Sequence, residues 1–233
     1  MSEKVRSRLD LILGIVLVPG MVLALYMALI AAPREATMGD LQRIFYFHVG
    51  AAIAGMTAFG VNFAASIMYI TKKNRWSDGL ALAAAETGVI FLSMVLVTGP
   101  IWAKPVWFIW WTWSPRLTLS LVLCLLYVAY LLIRKYIEDP ERRAMVSAVF
   151  GIIAFLDVPL VWYSIRLWRD IHPSAMLETG GLSPSMRPAF FVCFAVFELL
   201  MIYVLRRRFY LETMRVELEW IERQADAVHE GLR

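Results

Sequence analysis

The residues best able to do chemistry are two histidines and a run of tryptophans. His48 ends the segment Arg43-Ile-Phe-Tyr-Phe-His48, and His172 ends Trp168-Arg-Asp-Ile-His172. Neutral imidazole is a ligand for transition metals, including the iron of a macrocycle. Between the two lies Trp102-Ala-Lys-Pro-Val-Trp107-Phe108-Ile-Trp110-Trp111-Thr-Trp113-Ser-Pro-Arg116, with five Trp and one Phe in fifteen residues. Trp collects at membrane interfaces because its ring is amphipathic, but such a belt needs only about one or two per helix end. Five in one stretch, flanked by Lys104 and Arg116, make a flat aromatic surface beside cationic groups. That surface suits a planar, apolar ligand with acidic edges. A lone His is commonly structural, whereas two on one side of the chain beside a Trp platform make a candidate site. The third histidine, His229, lies in the C-terminal segment and is given no role.

The elements that must position these residues are membrane helices. The chain has 233 residues, 60% hydrophobic and only 18% charged, where a soluble domain is nearer half apolar and a quarter charged. About 20 apolar residues cross the hydrocarbon layer as a helix, and six blocks meet that need: 11–31, 44–70, 80–101, 117–133, 145–162 and 188–205. The first is too long for the core of a cleavable leader, so none is expected. Pro19-Gly20 falls inside the first block and Asp40 is expected to cap the second. No soluble insert or internal repeat interrupts the series. The reading is an all-α integral membrane protein with a six-helix membrane domain over 1–205 and a cytoplasmic tail over 206–233. In that tail Leu211, Met214, Leu218, Ile221, Ala225 and Val228 step by three and four, which makes a one-sided helix. It can dock on a partner or lie along the membrane surface.

Charge orients the bundle. Of 23 Lys and Arg, 16 cluster before the first block, in the 71–79 and 134–144 connections and after the last block. The other seven are Arg34, Arg43, Lys104, Arg116, Arg166, Arg169 and Arg187. The positive-inside rule then makes both termini cytoplasmic and turns the Trp- and His-bearing segments outward. The net charge of +4 follows from this topology and gives no reason to expect a nucleic-acid partner. The two cysteines, Cys124 and Cys193, sit deep in apolar blocks without a CxxC pattern and read as structural. Three acids also fall inside blocks: Glu86, Asp157 (just before Val158-Pro159) and Glu198. With no cation expected at matching depth, each is read as bonding to a neighbouring helix, Asp157 for instance near the carbonyl freed by Pro159.

Taken together, Arg43-Ile-Phe-Tyr-Phe-His48-Val-Gly-Ala-Ala, the stretch from Trp102 to Thr118, and Val158-Pro159 running into Trp168-Arg-Asp-Ile-His172 resemble the haem exporter protein C family of cytochrome c maturation. That family handles haem through an outward Trp-rich motif. The resemblance covers nearly all six helices. It implies that haem b is bound transiently on the outer face of the bacterial inner membrane. His48 and His172 would be the axial ligands of the iron. Trp102, Trp107, Trp110, Trp111 and Trp113 would form the platform, with Arg116 and Arg43 facing the propionates. It implies delivery to a periplasmic haem chaperone and a module with an ABC-type ATPase, a second membrane subunit and a small single-span subunit, all within membrane lipid. The chain departs from the family pattern at Ser114-Pro115, where the motif usually has Asp and one further residue, and at Ala103 and Phe108, where glycines are common. Ser114 can still cap the fourth helix.

The expected function is haem binding and transfer, with no catalytic residues. Two alternatives are the haem channel of the other cytochrome c assembly route, which is usually longer with more helices and histidines, and a transporter permease without haem. A redox haem enzyme is a third; it would place paired His within the bilayer and need a second electron site.

Overall fold

The structure, a computed structural model, describes residues 3–168, 172–173 and 182–231, with side chains described between 8 and 225. The glycine-rich run of the last connection, at 174–181, lies outside the described residues. All regular elements in the described residues are helical, and six stretches are long and apolar enough to cross a membrane. They are α1 (Glu3–Tyr26) with a π-turn (Met27–Ala31), α2 (Ile44–Lys72) preceded by a 3-10 turn (Asp40–Arg43), α3 (Arg75–Trp107), α4 (Pro115–Tyr136), the pair α5 (Pro140–Phe155) and α6 (Asp157–Leu167), and α7 (Arg187–Gly231). Helices are forced here because hydrocarbon offers backbone groups no water to bond.

Local chemistry sets the ends. The Asn74 side chain accepts a bond from the Ser77 N–H at 2.8 Å and starts α3. Asp139 does the same for α5 from Arg142, with Pro140 at the first helical position, where its missing N–H costs nothing. Asp40 departs from expectation. The capping position before it is held by Gly39, at φ +59° and ψ −129°, a conformation open to glycine because it has no Cβ. Asp40 itself begins the 3-10 turn and takes Arg34 at 2.5 Å and Arg43 at 2.9 Å. The fifth span is also broken at Leu156, where Pro159 cannot donate to the carbonyl of Phe155.

The core is built on α2 and α3, which make the most extensive contact in the bundle; α7 and α5 pack on α2 as well. The contact surface is small: Ala51, Ala54, Gly55, Ala58, Ala84, Ala85 and Gly88 are all buried. Small residues let helix backbones approach closely in a membrane. Phe59 fills the space over Gly88 and stacks on Tyr127 of α4 at 3.7 Å.

At the end of the bundle remote from His48, ion pairs join the helices. Asp10 of α1 meets Arg206 and Arg207 of α7, and Asp78 of α3 takes Arg134 of α4 in a two-bonded pair at 2.5 and 2.8 Å. Glu86 corrects the expectation of no cation at its depth, because Arg208 donates to it at 3.0 Å and to Glu212 as well. The cause is α7, which does not stop near residue 205 but runs on unbroken for 45 residues and carries Arg208 alongside α3. Glu198 accepts a bond from Thr57 at 3.2 Å.

A methyl group on Gly88 would fall 2.3 Å from the ring of the fully buried, stacked Phe59. Gly88→Ala should therefore cost about 1–3 kcal/mol through overpacking, read as a lower melting temperature in detergent. Gly55→Ala, with its nearest atom 3.3 Å away, should lose less.

Candidate functional site

One cavity of about 430 Å³ opens at the end of the bundle that carries His48, within the usual size range of small-molecule and cofactor sites. Its walls follow helical spacing. From α2 come Phe45, His48, Val49, Ala52, Ile53 and Met56, and from α3 come Leu92, Val95, Leu96, Gly99, Ala103 and Trp107. Arg116, Leu117 and Ser120 of α4 and Val161, Trp162, Ile165 and Arg166 of α6 close two further sides. His172 and Pro173, from the segment after α6, complete it.

The two histidines, 124 residues apart in sequence, thus line one chamber. His48 Nδ1 lies 2.8 Å from Thr98 Oγ1, and a Cβ on Gly99 would sit 3.5 Å from its Cε1, so α3 packs against the ring. His172 Nδ1 lies 3.0 Å from the carbonyl oxygen of Pro173. A carbonyl only accepts, so this contact calls for a proton on His172 Nδ1. Trp107 meets His172 edge to face at 6.5 Å, and Trp102 meets Trp107 at 5.1 Å, giving a continuous aromatic path from α3 to His172.

The tryptophan run divides into two groups. Trp102, Trp107 and Trp111 line the cavity. Trp110 and Trp113 are absent from its wall and are 57% and 75% exposed; Lys104 lies 6.0 Å over the Trp110 ring. The division follows from α3 running to Trp107, past its expected end near 101, before the chain leaves helix through 108–114. Arg116 is on the cavity wall, at the second position of α4, with Ser114 at the cap position but making no side-chain capping bond. Arg43 is not on the wall: it bonds Asp40 and donates to the carbonyl of Ala28 at 2.8 Å, tying the α1–α2 connection together. Three wall or near-wall residues were not singled out from the sequence. Arg166 stands one turn after Trp162, Gln42 lies beside Arg43, and Thr98 is a lone hydroxyl one turn before Trp102.

The turn out of α3 is made by Phe108 at φ +61°, one of two non-glycine residues with positive φ among the described residues. The left-handed region costs an L-residue roughly 1–2 kcal/mol, and the side chain, 84% exposed, gains little from packing. Phe108→Gly should leave the melting temperature unchanged or raise it slightly, after the entropy glycine adds to the unfolded chain. The β-branched Phe108→Val should lower it.

The sequence matches the family described as Heme exporter protein C over residues 2–229. Among relatives of that name, the chain is 31% identical to the protein of Bradyrhizobium diazoefficiens over 153 residues, 65% of this chain and 58% of that one. It is 30% identical to the protein of Escherichia coli K12 over 156 residues, 67% and 64% of the two chains. With the protein of Haemophilus influenzae it shares 27% identity over 202 residues, 84% and 82%. The matched part thus spans about three fifths of the first two relatives. With the family matched over residues 2–229 and His48, His172, Trp102, Trp107, Trp111 and Arg116 on one cavity wall, the chain belongs to the Heme exporter protein C family.

Proposed function

We propose that this chain binds haem b transiently in the cavity between α2, α3, α4 and α6 and passes it to a periplasmic haem chaperone during cytochrome c assembly. His48 and His172 are the axial ligands. Trp102, Trp107 and Trp111 cover the macrocycle. Arg116 and Arg166 meet the propionates with charge-assisted bonds. The observation that carries this reading is that two imidazoles from separate elements line one aromatic cavity. The same residues set the chemistry of release: two neutral nitrogen ligands leave a site reversible by ligand exchange, and the chain keeps no covalent hold. By the positive-inside rule the cavity end faces outward across the inner membrane, opposite the arginine-rich end.

Purified wild-type protein should carry haem with a six-coordinate, bis-histidine spectrum, measured by pyridine haemochrome and absorption. His48→Ala and His172→Ala should each lose most of that haem or convert it to five-coordinate. A double variant with the wild-type spectrum would sink the assignment. Trp107→Ala and Trp111→Ala each uncover aromatic area on the cavity wall, a loss of about 1.5–3 kcal/mol or roughly 10- to 100-fold in affinity. Trp110→Ala and Trp113→Ala should alter haem affinity far less.

The reading includes a module of an ABC-type ATPase, a second membrane subunit and a small single-span subunit. Helix α7 is about 67 Å long at 1.5 Å per residue, against about 30 Å of hydrocarbon. Its extension exposes Leu211, Met214, Leu218 and Ile221, and this stripe is the docking surface for the module. Deleting residues 214–233 should leave haem content intact and reduce recovery of the other subunits in a pull-down. Full recovery would remove the docking role.

A further inference from the structure

Thr98 stands where α3 meets His48, and its hydroxyl has three neighbours, the most distant being the carbonyl oxygen of Val95 at 3.5 Å. Its Oγ1 is 2.7 Å from the carbonyl oxygen of Met94, one turn back along the helix, and 2.8 Å from His48 Nδ1. A hydroxyl has one proton to give and two lone pairs to receive. Two oxygens 2.7 Å apart with no proton between them would set lone pair against lone pair. The proton therefore goes to Met94, the usual bond of a threonine within a helix. Toward His48 the oxygen can then only accept, and Nδ1 must carry the hydrogen.

We infer that Thr98 is a positioning residue for haem ligation, holding His48 in the Nδ1–H form so that Nε2 presents the lone pair to iron. This rests on the haem reading above for its consequence, while the tautomer is a property of the chain itself. In water a histidine side chain favours the opposite, Nε2–H form, so the arrangement has to be imposed. The bond made by one ring nitrogen decides what the other can ligate. Such partners also fix ring rotation and raise ligand basicity, and losing one typically costs about 10- to 100-fold in metal affinity. His172 obtains the same tautomer from the carbonyl of Pro173, which no side-chain substitution removes. Thr98 is thus the part of the ligand support that mutation can reach. Gly99 lies beside the ring from the next position: a Cβ there would meet Cε1 of His48 at 3.5 Å, an ordinary van der Waals contact.

The test compares Thr98→Val, which keeps the shape and removes the acceptor, with Thr98→Ser, which keeps the hydroxyl. Nitrogen-15 NMR of histidine-labelled protein without haem should find His48 protonated at Nδ1 in the wild type and the serine variant. The valine variant should shift toward Nε2–H. In haem-loaded protein, Thr98→Val should release haem to a scavenger about 10- to 100-fold faster and move the midpoint potential to a more positive value, because the iron loses a basic donor. Thr98→Ser should restore both. Thr98→Ala, compared with Thr98→Ser at matched melting temperature, separates the bond from any folding defect. A wild-type His48 protonated at Nε2, or a valine variant with unaltered tautomer, release rate and potential, would overturn the inference. Wild-type protein that takes up no haem would instead defeat the haem reading, and the NMR arm would still decide the tautomer.

Discussion

The approach of α2 to α3 through alanine and glycine is the contact on which the site depends. Lipid tails are as apolar as the side chains they meet, so membrane helices associate through close packing and polar bonds more than through exclusion of water. Here the run of small residues from Ala51 to Ala58, facing Ala84, Ala85 and Gly88, brings the two backbones together. Only at that separation can Thr98 reach His48 and Gly99 lie against its ring. The larger side chains then fill the outer angles of the pair, with Phe59 stacked on Tyr127 toward α4 and Phe197 set over Gly50 toward α7.

The bundle has two unlike ends. At one, carboxylates and arginines pair across α1, α3, α4 and α7. The Asp78–Arg134 pair is the most enclosed of them, with side-chain exposures of 20% and 7%, and breaking a pair at such a site costs more than forming it gains. At the other end the chain leaves helix between α3, which ends at Trp107, and α4, which begins at Pro115, and again after α6 at Leu167. Irregular backbone at membrane depth is tolerated where it is buried in protein or lines a cavity. The non-helical segments after α3 and α6 contribute Trp111, His172 and Pro173 to the wall that also holds His48.

The six spans, the two histidines and the tryptophan run were legible in the sequence because each rests on composition or on a rare residue. Helix ends were harder to read. Apolarity falls at the membrane surface whether or not the helix stops there, so α3 hid its last turns behind Pro100 and Pro105, and the tail, read as a helix, gave no sign that it continues the sixth span without a break through Arg206, Arg207 and Arg208. Both errors had consequences. Extending α3 is what separates Trp102 and Trp107 from Trp110 and Trp113. Extending α7 is what gives Glu86 its arginine. Thr98 and Arg166 were missed for another reason. A single hydroxyl or guanidinium carries no pattern of its own, and its meaning comes from a partner about 50 residues away, as with His48, or from the far wall of a cavity.

The segment between α3 and α4 shows how the departure at Ser114-Pro115 is accommodated. Proline at the first position of α4 supplies the φ a helix needs, which sets the start of α4. A cost remains in the same segment. Trp111 Nε1, Ser114 Oγ and Thr118 Oγ1 are buried with no hydrogen-bond partner among the described residues, and such a buried polar group costs about 1–3 kcal/mol. Aspartate at 114 would offer an acceptor within reach of its own segment; serine offers a shorter, neutral one. The polar atoms around Trp111 are left with bonding capacity beside the cavity, where an acceptor on a bound ligand would find donors already desolvated.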